Sequence, residues 1–193
     1  MKIRFRRPAN DEIGTFVADQ AEAKFSYAQL GMTKHPAPDD FQVDHNRIVL
    51  GKGQAIFEKV CAAVHAWQMI DLGWVSVYDA SVPFAPGMTV AIIAEVFGVW
   101  FLNACRIVYT VEERSGEVWR YGFAYGTLPA HLERGEERFL IEWDRRSDEV
   151  RYDILAYSQP NTWLAKVGYP VVRLFQKRFG KDSKRVMASI VMD

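Results

Sequence analysis

Across residues 73–157 the apolar side chains recur at every second position, and the connections between successive runs are too short to hold a crossover helix. That combination forces antiparallel pairing, because a strand that re-enters a sheet in parallel needs roughly a dozen residues to return. Six strands are expected, over 74–78, 88–97, 103–113, 117–128, 137–144 and 149–157. Ser115-Gly116 marks a tight hairpin between two of them, and 145–148 a second turn.

On either side of this region the period is helical. Asn10 caps a first helix that carries Ile13, Phe16 and Val17 on one face, and Ile56, Phe57, Val60, Cys61, Val64 and Trp67 form the stripe of a second over 54–69. Between them, residues 31–52 contain Pro36, Pro38, Asp39, Asp40, Asp44 and Asn46, a composition that predicts an irregular crossing segment. After Ser158-Gln159-Pro160 the helical period returns, with Leu164, Val167, Val171, Leu174, Phe175 and Phe179 on one face, and Pro170 predicts a kink or restart there. A sheet of this size buries one face, and the terminal helix, with the second helix beside it, is the large apolar partner left. The expected fold is therefore α+β: a curved antiparallel sheet of about six strands gripping a long C-terminal helix, in a single domain over 1–193, with a cavity between sheet and helix.

Composition narrows the class. Half of the residues are apolar (49%) and a quarter charged (25%), which excludes a disordered or low-complexity chain. The longest apolar run, 90–102, contains Glu95 and is shorter than the roughly 18 residues that a membrane span needs, so no integral membrane segment is expected. Four basic residues open the chain with no apolar stretch behind them, and the two cysteines, Cys61 and Cys105, sit in apolar runs without metal or redox spacing. A cytoplasmic location, no cofactor and no metal are the expectations. The 24 basic and 24 acidic residues cancel, yet 161–193 holds seven basic groups against two acidic ones. Arg173, Lys177 and Lys181 on that segment are candidates for contact with an anionic surface, against the plainer reading of a solvated helix face. Neutral overall charge and core-like positions of the aromatic residues argue against nucleic acid as a partner.

The strand over 117–128 is chemically lopsided. Trp119, Tyr121, Phe123 and Tyr125 alternate with Arg120, Gly122, Ala124 and Gly126, so one face is aromatic and the other nearly bare. Such a wall either packs as core or lines a ligand cavity, and a bare face lets another segment approach the backbone. The connection that follows brings Tyr125, Thr127, His131, Glu136 and Glu137 to one sheet edge. An imidazole beside a carboxylate can perform acid–base work, or the same polar groups can pin the loop. With Glu133, Glu136 and Glu137 within six residues of it, His131 is expected to have a raised pKa and to make ligand binding pH-dependent at about pH 6 to 7.

Tyr125-Gly126-Thr127-Leu128-Pro129-Ala130-His131 with Gly135-Glu136-Glu137 and Phe139, followed by Tyr157-Ser158-Gln159-Pro160, Tyr169-Pro170 and Gln176-Lys177, resembles an uncharacterised bacterial and plant family known as a domain of unknown function. Leu50-Gly51-Lys52-Gly53, Trp67, Trp74 and Pro86-Gly87 are similar to the same family, while Ala130 stands where its pattern has glycine. The resemblance implies a START-like, pollen-allergen-like helix-grip fold, whose members mostly bind apolar small molecules, and carries no activity. The leading expectation is a small apolar ligand held between sheet and terminal helix by Trp67, Tyr109, Tyr121, Phe123, Tyr125, Thr127, His131 and Glu136. The alternatives are an enzyme using His131 and Glu136 as an acid–base pair in that cavity, and a peripheral membrane or partner-binding protein using the basic terminal helix.

Overall fold

The computed structural model describes residues 2–81, 84–161 and 168–192. Alternating side chains and short turns produce one antiparallel sheet of eight strands, β1 (Lys2–Arg4), β2 (Gln42–Lys52), β3 (Val75–Val77), β4 (Thr89–Val96), β5 (Val99–Glu113), β6 (Val118–Thr127), β7 (Glu133–Asp144) and β8 (Glu149–Pro160). From β3 to β8 each strand pairs with the next in sequence, β2 joins the far edge beside β8, and β1 pairs with β5 at residues 100–102, beyond the end of β6. The apolar run over 90–102 is thus a hairpin, turned by Phe97 (φ 52°) and Gly98 (φ 77°), the left-handed pair that a tight two-residue connection requires.

The sheet curls, and its two faces bury different partners. On the inner face, α2 (Gln54–His65) lays Phe57, Val60 and Val64 against Phe123, Phe139, Ile141, Trp143 and Tyr152. Beside it runs α3 (Tyr169–Ile190), which buries Gly180, Ser183 and Met187 and leaves Val171 and Leu174 exposed. Pro170 lies in its first turn, where its missing N–H costs nothing, so the helix starts there instead of bending. Asn46 of β2 lies so close that a Cβ on Gly180 would stand 2.7 Å from its Nδ2. The Tyr152 and Ser183 hydroxyls, 2.8 Å apart, tie β8 to the same turn of α3.

On the outer face, α1 (Asn10–Asp19) buries Ile13 and Phe16 against Ala91, Ile93, Leu102 and Leu128. Arg106 caps the end of this region, its guanidinium donating to the carbonyls of Gln20, Ala21 and Ala23. The chain then crosses the outer face, with Met32 seated on Leu155 and Tyr157.

Two features depart from the sequence-based expectation: the number of strands, and the exposure of Val171 and Leu174, which the helical period had placed on the apolar face. The sheet has eight strands instead of about six, because β2 occupies part of the segment read as irregular and β1 adds a short edge. In β2 the inward positions 44 and 46 are the polar Asp44 and Asn46, which removes the apolar alternation that marks a half-buried strand. Leu164 and Val167, two positions of the expected apolar helix face, lie outside the described residues.

Candidate functional site

Between the inner sheet face and the first turns of α3 lies a cavity of about 480 Å³. Trp74, Ile92, Ala94, Val96, Ile154, Ala156, Phe175 and Phe179 supply its apolar wall. Polar groups reach it from several elements, among them Asp44 and Asn46 on β2, Tyr125 on β6, Glu133 and Glu137 on β7, Ser158 on β8 and Gln176 on α3. β7 places both carboxyls because 133, 135, 137 and 139 share a face, and Phe139 at the end of that series is in the core.

The polar end is a connected set. Tyr125 Oη donates to Glu137 Oε2 at 2.6 Å. Gln176 Nε2 donates to Glu133 Oε1 at 2.5 Å and to Ser158 Oγ at 3.1 Å. Arg173 grips Asp44 with both terminal nitrogens, one at 2.7 Å, and donates to Gln176 Oε1. Burial pushes the Glu137 carboxyl up to about 7, against the Tyr125 hydroxyl, with Glu133 and Asp44 adding to the rise. Burial likewise lifts Glu133 to about 7, opposed by Gln176 and helped by Asp44. A carboxyl in this state exchanges its proton near neutral pH.

His131 titrates in the direction opposite to the expectation. Burial lowers its imidazole to about 4, although its Nδ1 lies 2.9 Å from the Glu133 carbonyl oxygen. It is neutral at pH 7, and the nearby carboxylates fail to raise it because Glu136 lies on the other sheet face and Glu133 is turned to Gln176.

Glu136 borders the cavity, but its carboxylate is turned away to the other side of the sheet. On the outer face it accepts Tyr27 Oη at 2.7 Å, Gly31 N–H at 2.8 Å, Thr33 N–H at 3.0 Å and Thr33 Oγ1 at 2.5 Å. Gly126 makes room for this clasp, since a Cβ there would stand 2.1 Å from Tyr27 Oη. Thr127 closes it, its hydroxyl 2.6 Å from Ser26 Oγ and accepting the Gly135 N–H at 2.9 Å. An acid–base pair of His131 and Glu136 is therefore corrected by the geometry: their side chains serve opposite faces.

Of the other residues singled out from sequence, Tyr125, Thr127 and His131 border the cavity. Trp67, Tyr121 and Phe123 do not. Phe123 packs at 4.7 Å from Trp67 and 4.3 Å from Phe84, between ring centroids, and the Tyr121 hydroxyl lies 2.9 Å from His65 Nδ1. Tyr109 is on the outer face, 2.8 Å from Thr33 Oγ1 and under the Lys34 ammonium, because a β-bulge between Ile107 and Tyr109 turns it over. Arg173 is likewise no free cation for an anionic surface, being paired with Asp44, whereas Lys177 and Lys181 are exposed. Asp44, Glu133, Glu137 and Gln176 were not among the expected ligand-binding residues: the two glutamates entered only as carboxylates near His131, Asp44 only as part of the crossing segment, and Gln176 only through the family resemblance. Even spacing from Phe139 was the signal that could have found the two glutamates.

A curled antiparallel sheet closed by a long C-terminal helix over an inner cavity is a helix-grip architecture. The hypothetical protein jhp0584 from Helicobacter pylori superposes with a TM-score of 0.50 at 12% identity, covering 77% of this chain and 86% of that one. Human STARD10 superposes at 0.48 with 10% identity, over 97% of this chain and 81% of its own. Residues 26–186 match the family described as a domain of unknown function, DUF1990, and the chain belongs to it. A UPF0548 protein of Dictyostelium discoideum is 38% identical over 97% of this chain and 94% of its own length, and one of Arabidopsis thaliana 31% identical over 92% and 88%. Among the described residues no helix is long and apolar enough to cross a membrane, and no group of three or more His, Cys, Asp or Glu side chains is placed to hold a metal.

Proposed function

We propose that this protein binds a small, largely apolar molecule in the cavity between the sheet and α3. The observation that carries this reading is the cavity itself: about 480 Å³, walled mainly by aromatic and aliphatic side chains, with a few polar groups gathered at one end. Ligand sites in proteins commonly have roughly 300–1,000 Å³ and this division between an apolar body and a few orienting polar groups. The apolar wall would take the bulk of the ligand, and Tyr125, Glu137, Glu133 and Gln176 would set its orientation.

Uptake of Nile red, a neutral apolar dye, tests the reading directly. Fluorescence enhancement is expected with the wild-type protein and is expected to vanish in Ala156→Trp and in Ala94→Trp, each of which fills the cavity from a different strand. Native mass spectrometry of protein purified from its own cells should show a retained organic molecule. Dye binding that survives both filling substitutions would overturn the proposal.

A further inference from the structure

Among the described residues the charges around the cavity do not balance. Arg173 and Asp44 neutralise each other in a two-pronged pair. Arg134 is drawn to the outer face, where its Nε donates to Gln159 Oε1 at 2.6 Å. His131 is neutral. Two carboxyls remain, Glu133 and Glu137, and each receives only neutral donors: Gln176 in one case, Tyr125 in the other. Among the described residues no lysine or arginine lies within ion-pair distance of either, and Arg173 acts on Glu133 only through space.

Resting on the cavity reading above, we infer that the occupant carries a cationic nitrogen, a protonated amine on an apolar body, seated between Glu137 and Glu133. The cavity marks the site, and the two carboxyls choose the head group. A buried carboxylate without a cation is costly, and an ammonium supplies both the charge and up to three N–H donors that these oxygens lack. A carboxylate-bearing ligand would meet like charge, and a neutral alcohol would leave the acidic pair uncompensated. Because Glu133 and Glu137 hold their protons to about pH 7 in the empty protein, seating a cation should expel a proton. The groups facing the pair are Tyr125 on β6, Tyr152 on β8, Asp44 on β2, Cys105 on β5, Arg173 and Gln176 on α3, and His131 in the connecting loop. Burial keeps Tyr125, Tyr152 and Cys105 protonated and His131 neutral between pH 6 and 8, so that among these shifted groups the change of charge in that range falls to Glu133 and Glu137.

Three probes of one chain length separate the possibilities: n-decylamine, n-decanol and decanoate, titrated calorimetrically at pH 6 and pH 8. At pH 8 decylamine is expected to bind at least tenfold more tightly than decanol, with decanoate weakest. Its affinity should fall about tenfold from pH 8 to pH 6, as the proton expelled from a group titrating near 7 becomes harder to remove. Glu137→Gln should bring the amine-to-alcohol ratio close to one, and Glu133→Gln should lower it. Equal affinities for amine and alcohol at pH 8, or a preference that survives in Glu137→Gln, would overturn the head-group inference and leave the cavity reading standing. Failure of all three chains to bind would overturn the cavity reading and this inference with it.

Discussion

Glu136 and Glu137 share a peptide bond and face opposite sides of β7, and they are in opposite chemical situations. Glu136 is held by four donors from the crossing segment, a hydroxyl and an amide on each oxygen. Among the described residues Glu137 receives one, from Tyr125. A buried carboxylate with its lone pairs filled is a structural tie, since its charge is repaid by the backbone it holds in place. A part-buried carboxyl with capacity left over, opening onto a cavity, is poised for a partner that is not part of the chain.

The largest effect expected from breaking this contrast is at Glu136. Glu136→Ala strands four donors and should lower stability to chemical denaturation by about 4 kcal/mol, at roughly 1 kcal/mol or more for each lost bond. A loss below about 1 kcal/mol would show that the clasp is incidental. Nile red uptake by the folded variant should persist, because the cavity lies across the sheet.

At Glu137 the sign reverses. Its folded pKa, about 7, lies above the usual carboxylate value, so the folded state binds the extra proton and stability is lost as pH rises from about 4.5 through 7. Glu137→Gln removes the ionisation and should therefore stabilise the protein, by about 3 kcal/mol at pH 8 and less than about 1 kcal/mol at pH 5. Thermal melts at the two pH values check this, and a destabilised variant at pH 8 would contradict it.

His131 gives an acid-side counterpart. Its folded pKa is lowered to about 4, so the folded state resists protonation and stability is lost as pH falls from about 6.5 toward 4. Between pH 7 and pH 5 the wild type should lose about 2 kcal/mol through this group, a loss absent from His131→Gln. The smallest expected effect is that of Tyr125→Phe, about 1 kcal/mol at pH 5 for one hydrogen bond, together with a further rise in the Glu137 pKa that two-dimensional NMR titration would detect.

Much of the frame was legible. The period-2 stretch over 73–157 and the short turns required an antiparallel sheet, and the stripe after Pro160 required a helix on its inner face. The bare face of β6 was read as an approach surface, and Tyr27 approaches there over Gly126. β2 was missed because its inward residues, Asp44 and Asn46, are polar and meet α3 instead of an apolar core, Asp44 paired with Arg173 and Asn46 lying against Gly180.

What sequence alone determined was which residues alternate; what tertiary structure decided was which face each alternating set meets. Pairing of Tyr125 with Glu137 and of Gly126 with Glu136 fixes the choice, and that register depends on β7 beginning at Glu133, four residues earlier than its apolar pattern suggests. One bulge, between Ile107 and Tyr109, likewise exchanges inside for outside along the rest of β5. A strand has period 2, so a single residue of register separates a clasp from a cavity, and the hydrogen bonds that set it join residues far apart in the chain.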